Sequence, residues 1–265
     1  MSRFAKRQQR QIFQGTQYVV FIAGVSVLFL SADWARLGEQ FAQANLARAL
    51  FPDIILTALR NTVVYTLSGF LLGLLLGLVV ALMRLSSVAP YRWVAGLYIE
   101  VFRGLPALLI FIFVGVGVPL AFPGVEIAGG VYGQVTVGLG LVAAAYMAET
   151  FRAGIQAVPK GQMEAARSLG FSQGRAMLSV IIPQAFRIVI PPLTNELVLL
   201  FKDSSLVLFL GVTLQERELT KFGRDLASQS ANSTPIMVAG LCYLLVTVPL
   251  GYVVRRLEAR SARAR

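Results

Sequence analysis

With 265 residues, 56% of them hydrophobic and 14% charged, and a mean hydropathy of +0.70, the chain is too apolar for a soluble domain and belongs in a bilayer. It has no histidine, which removes histidine metal ligands, histidine general bases and the Ser-His-Asp arrangement together, and its single cysteine, Cys242, has no partner for an internal disulfide. The formal net charge of +11 does not point to nucleic acid, because Lys and Arg cluster at the ends of apolar segments, where cytoplasmic anchoring retains them.

About 20 consecutive apolar residues carry a helix across the hydrocarbon layer, and six such runs are present. The first covers residues 17–32, between Arg10 and Asp33. The basic stretch before it is followed by no A-x-A cleavage site, so it reads as a retained signal-anchor helix. A polar segment, 33–53, includes a surface helix through 41–50. The second run, 56–83, repeats Gly69, Gly73 and Gly77, a ridge against which another helix packs closely. Arg84 and Arg92 flank a short loop with Pro90, and the third run crosses back over 98–122. A Gly/Pro-rich turn without Lys or Arg follows, then the fourth run, 131–155.

A polar amphipathic stretch, VPKGQMEAARSLGFSQGRAMLSVIIP, precedes the fifth run, 178–212, which Pro191-Pro192 interrupts. The charged segment QERELTKFGRD leads to the sixth, 235–254, and a basic tail. The expected fold is an all-α polytopic membrane protein divided as 1–55, 56–255 and 256–265. Alternate loops carry seventeen and five Lys and Arg, with Arg60 and Lys202 inside runs. That bias puts both termini and the amphipathic stretch in the cytoplasm.

Within the amphipathic stretch, Pro159 suits the first turn of a helix and Gly170 suits its end. Ala165, Ala166 and Gly170 are small enough for close approach of a partner, and Glu164, Arg167 and Arg175 add charge at the edges. A docking helix through which a separate protein moves the membrane helices, and an amphipathic connector on the lipid surface, fit these residues equally.

EAARSLG, followed nine residues later by VIIP, resembles the EAA signature of membrane subunits of binding-protein-dependent ABC importers. The matching positions are Glu164, Ala165, Ala166 and Gly170, then Val180, Ile182 and Pro183, with Val180 and Ile182 standing for isoleucine and leucine. YIEVFRGLP, AAYMAETFRAGIQAVPKGQMEAARSLG, IIPQAFRIVIPPLTNEL and KDSSL are similar to permeases for polar amino acids in bacterial plasma membranes, over about 56–254. The resemblance implies a five-helix core, to which the first run is an addition. It implies two permease subunits, identical or homologous, two cytoplasmic ATPase subunits and an extracytoplasmic solute-binding protein. The chain has no G-x-x-x-x-G-K-[ST] sequence, so ATP and Mg are expected on the separate ATPase, with no cofactor or metal here. By resemblance, residues 159–172 form the coupling helix. Glu164 would supply a polar contact, Ala165 and Ala166 close packing, and Gly170 the turn.

Charged groups within a span cost at least about 2.5–3.5 kcal/mol unless paired or hydrated, which singles out the fifth run. Glu196 and Asp203 are seven apart, hence on one helical face, and Asn195 and Lys202 form a parallel stripe. A break at Pro191-Pro192 would free backbone and favour a path near Thr194, Asn195 and Glu196. The alternative is that Lys202 and Asp203 pair with neighbouring helices and hold the fold, as Arg187 does near the cytoplasmic end. Glu100 and Arg103 are expected to pair at the interface, and Glu149 and Arg152 to serve a gate or scaffold. Rival functions are import of a related amine-bearing solute such as an opine, a self-contained secondary carrier, which would not need the docking stretch, and an intramembrane enzyme, for which no nucleophile motif is present.

Overall fold

Apolar runs without interior charge satisfy their backbone hydrogen bonds internally only as helices when they cross lipid. The computed structural model describes residues 3–263, with side chains for 13–259, and among the described residues there is no strand. Two units divide the chain, Met1–Ala44 and Asn45–Arg265.

The first unit holds α1 (Arg3–Ser31), whose apolar part is Phe13–Ser31, and α2 (Trp34–Phe41). The surface helix expected over 41–50 instead appears as α2 and, after a break at Ala42 and Gln43, α3 (Ala44–Ala49). Asp33 sets the earlier start by capping α2: its carboxylate accepts from the Arg36 amide at 2.9 Å.

The second unit is organised on α4 (Ile54–Leu85, opening on a π turn) and α7 (Gly130–Gln156). Gly69, Gly73 and Gly77 lie along the seam between them. A Cβ at these positions would stand 2.5 Å from Leu139 Cβ, 2.6 Å from Ala143 Cβ and 2.9 Å from Met147 Cβ. Gly140 of α7 receives Leu72 in the same manner. The close seam raises the dispersion contact between two helices that lipid does not otherwise drive together.

Between α4 and α7 the chain forms α5 (Ala89–Gly104) and α6 (Ala107–Ala121), bent by 107°. The third run, expected as one crossing over 98–122, is therefore broken near its start. Leu105 is extended (φ −88°, ψ 141°) because it precedes Pro106, and the helix cannot continue through it. The Tyr98 hydroxyl donates to the Leu141 carbonyl at 2.7 Å, tying α5 to α7.

After α7 come α8 (Lys160–Ser168), α9 (Gln173–Phe209), α10 (Leu219–Ser230) and α11 (Thr234–Arg263). Pro191 and Pro192 do not interrupt α9, contrary to the sequence expectation. Two adjacent prolines remove only two amide donors, and the buried Val189, Pro191 and Leu193 hold the turn in place. Leu50, Ile54 and Ala58 pack with Leu219, Phe222, Ala239 and Cys242, so the cysteine serves as a small buried side chain. Among the described residues, five helices, α1, α4, α7, α9 and α11, are long and apolar enough to cross a membrane, and α5 with α6 qualifies as a bent sixth.

Candidate functional site

The amphipathic stretch forms a capped helix seated on the ends of α7 and α9. Pro159 (φ −55°, ψ 132°) is the N-cap of α8. Met163 packs with the buried Val158, Ile181 and Ala185, while Gln184 Nε2 of α9 donates to Gln162 Oε1 at 3.3 Å. At the other end Gly170 takes φ +86°. Its amide donates to the Arg167 carbonyl at 3.0 Å and the Phe171 amide to that of Ala166 at 3.2 Å, the two bonds of a Schellman motif. The Arg167 guanidinium adds a bond to the Phe171 carbonyl at 3.0 Å, and that of Arg175 stands 5.1 Å from the Phe171 ring centroid.

This packing divides the expected residues. Glu164, Ala165 and Ser168 are exposed, and Leu169 at the C-cap is 80% exposed. Ala166 is turned inward and is 4% exposed, so it packs within its own chain and not against a partner, as had been expected. Helical periodicity explains the split: 163 and 166 share the side facing α9, and 161, 164, 165 and 168 the other.

The second candidate group lies on α9. Thr194 is half-buried and its hydroxyl donates to the Ile190 carbonyl at 2.8 Å, so it closes on its own helix. Glu196 and Asp203 are half-buried, Asn195 and Lys202 exposed. Among the described residues Lys202 and Asp203 make no ion pair; the pairs there are Glu149–Arg152, Arg217–Asp225 and Lys221–Asp225. The pair expected between Glu100 and Arg103 is not formed either. Arg103 instead stands over the Tyr146 ring, 5.3 Å from its centroid, and Glu100 is exposed. Glu149 and Arg152 are joined at 2.6 Å, with Arg152 Nη1 also donating to Gln156 Oε1 at 2.8 Å.

A polar clamp escaped the sequence reading. Asn61 Nδ2 donates to the carbonyls of Gln215 (2.6 Å) and Arg217 (3.0 Å), the Tyr65 hydroxyl donates to that of Glu216 (2.8 Å), and Thr62 Oγ1 accepts from the Leu219 amide (3.1 Å). Tyr132 of α7 donates to Asn61 Oδ1 at 2.8 Å. These bonds fasten the 213–219 loop to α4. Beside it Glu218, fully buried, caps α10: its carboxylate accepts from the amides of Thr220 and Lys221 and from the Tyr243 hydroxyl at 2.8 Å. The signal was present in α4, where Asn61, Thr62, Tyr65 and Thr66 place polar groups on one face of an apolar run.

Burial pushes the Glu218 carboxyl above its ordinary value of 4.5, and its hydrogen bonds only partly offset this. A folded pKa above the unfolded one means the native state holds the proton more tightly. Stability from this group is therefore greatest below the unfolded pKa and declines as pH rises towards the folded pKa. Glu218→Gln is expected to flatten that decline and, because one amide must then face a side-chain NH₂, to lower stability by about 1–3 kcal/mol at low pH. Thermal unfolding in detergent across acidic to neutral pH checks both.

Helices long and apolar enough to cross a membrane, with a capped amphipathic helix between two of them, define a polytopic membrane protein. The chain belongs to the family described as binding-protein-dependent transport system inner membrane components, whose model matches residues 69–263. It is 37% identical over 228 residues to the arginine transport system permease protein ArgU of Corynebacterium glutamicum, covering 81% of this chain and 71% of that protein. It is 41% identical over 197 residues to the probable glutamine ABC transporter permease protein GlnM of Bacillus subtilis, covering 71% and 84%. A crystal structure of an amino acid ABC transporter with histidines superposes with a TM-score of 0.72 at 33% identity, over 81% of this chain and 97% of that one. The chain is thus a permease subunit of an ABC importer, a transport component and not an enzyme.

Proposed function

We propose that this permease imports a polar amino acid across a bacterial inner membrane, with both termini cytoplasmic, and that α8 couples it to a cytoplasmic ATPase. The substrate class is supported by the relatives, named for transport of arginine, glutamine, cystine and glutamate/aspartate. The coupling role is carried by one observation: the exposed face of Glu164, Ala165, Ser168 and Leu169 sits on a helix whose other side is fixed to α7 and α9. A push on that face reaches two spans without being absorbed by a loose connector.

Two permease subunits, identical or homologous, would stand on two ATPase subunits that hold ATP and Mg, with an extracytoplasmic binding protein delivering the solute. Moving a two-state pathway from 1:99 to 99:1 takes about 5.5 kcal/mol of differential binding, and ATP-driven approach of the ATPase subunits is the source. Asn195, Glu196, Lys202 and Asp203 are the polar groups offered to the solute on α9. Thr194, bonded back to Ile190, shapes the helix beside them.

Uptake by vesicles carrying the co-expressed transporter tests this with radiolabelled arginine, glutamine, cystine and glutamate in turn. At least one is expected to accumulate with ATP. Glu164→Lys is expected to lower that uptake by about tenfold or more with the subunit still inserted. Uptake by this chain alone, driven by an ion gradient and stopped by an ionophore, would sink the reading.

A further inference from the structure

The helix after the first span offers a second surface. Within α2, Trp34, Leu37 and Phe41 fall at i, i+3 and i+7 and form one exposed apolar stripe, while Arg36, Glu39 and Gln40 occupy the opposite side. The apolar segment of α1 is 19 residues, Phe13–Ser31, close to the ~20 residues that cross the hydrocarbon layer, so Ser31 marks where the chain leaves it. Two residues later Asp33 caps α2, and Trp34 folds back on the exit turn. Its indole Nε1–H donates to the Phe29 carbonyl at 2.6 Å and its ring centroid lies 4.6 Å from that of Phe29. That double contact fixes the start of α2 at the depth where α1 ends, the level at which tryptophan is favoured in bilayers.

We infer that α2 is an interfacial helix, lying on the membrane surface at the exit of α1 with Trp34, Leu37 and Phe41 in the boundary between headgroups and acyl chains. The occupant of the stripe is lipid. The charged and amide residues opposite then face water, and the pair α1–α2 acts as an anchor with a fixed depth and a fixed elbow. This rests on the membrane character of α1 and does not depend on the solute or on the coupling role of α8.

The test is site-directed spin labelling of the full-length chain in phosphatidylethanolamine–phosphatidylglycerol vesicles. Single cysteines are introduced at Arg36, Leu37, Gln40 and Phe41 in a Cys242→Ala background. The expected result is alternation: labels at 37 and 41 collide preferentially with oxygen, which partitions into lipid, and labels at 36 and 40 with a water-soluble nickel chelate. Uniform access to the chelate would mean that α2 stands clear of the bilayer. Low access to both reagents at 37 and 41 would mean that protein, either a second copy or another subunit, covers the stripe. Either outcome overturns the inference. If the cysteine variants insert poorly, quenching of Trp34 emission by brominated lipid in a Trp93→Phe variant gives the same reading. Shallow bromines are then expected to quench more than deep ones, and no quenching counts against it.

Discussion

Replacing Gly73 with leucine is expected to leave no folded subunit in the membrane, whereas Gly73→Ala gives a folded but weakened one. A Cβ on residue 73 would sit 2.6 Å from Ala143 Cβ, about 1 Å inside the usual ~3.5–4.0 Å carbon contact, so α4 and α7 must part. Separation is costly because the seam is continuous: Gly69 on Leu139, Gly77 on Met147 and Leu72 in Gly140 loosen together. A single added methyl in so tight a place costs about 1–3 kcal/mol. The pairing can be checked by compensation. Ala143→Gly removes the atom that the new methyl strikes, while the next neighbours, the Ala144 amide and Gly140 carbonyl, stand at an acceptable 3.4 Å. The double variant Gly73→Ala with Ala143→Gly is expected to recover most of the thermal stability lost in detergent. Gly240→Ala, with no atom within 4 Å of the new Cβ, is the control and is expected to be neutral or slightly stabilising. Absence of recovery, with the control behaving, would show that residue 73 does not meet residue 143.

The reach of the sequence follows from what kind of information each feature needs. The spans of α4, α7 and α11 were legible because hydropathy over twenty residues is a local quantity, and the glycine ridge because its spacing repeats. The EAA signature placed α8 and its ends, since Pro159 and Gly170 act through their own backbone preferences. What the sequence did not yield were relations between distant segments. The clamp of Asn61, Tyr65 and Tyr132 joins residues more than 70 positions apart, and its acceptors are mainly loop carbonyls, which any residue supplies. Ala165 and Ala166 look identical in sequence, and only the seating of α8 on Val158, Ile181 and Ala185 turns one outward and the other in. The proline pair misled for the opposite reason: a local rule predicts interruption, and the buried neighbours along α9 overrule it.

Gly170→Val is expected to abolish most coupled uptake while Gly170→Asn retains it. At φ +86° an L residue pays a steric cost that glycine does not, about 1–2 kcal/mol for an ordinary side chain in the left-handed region, and valine's branched Cβ is worse there. Asparagine tolerates that region. No atom lies within 4 Å of a Cβ at residue 170, so the two variants differ by backbone conformation and not by crowding. Relaxing to negative φ would break the bonds from Gly170 to Arg167 and from Phe171 to Ala166 and swing Leu169, the most exposed apolar group of this turn, away from its position. The span ends are held separately, by Met163 on Ile181 and Gln184 on Gln162, so the subunit should still insert. Uptake in vesicles normalised to inserted subunit is therefore expected to fall by about tenfold or more, equivalent to about 1.4 kcal/mol, in the valine variant alone. ATP hydrolysis by the assembled partner should persist, no longer answering to solute. Equal uptake by both variants would show that the ATPase does not read the shape of this turn, and an equal loss in both would place the sensitivity in side-chain contact instead of backbone geometry.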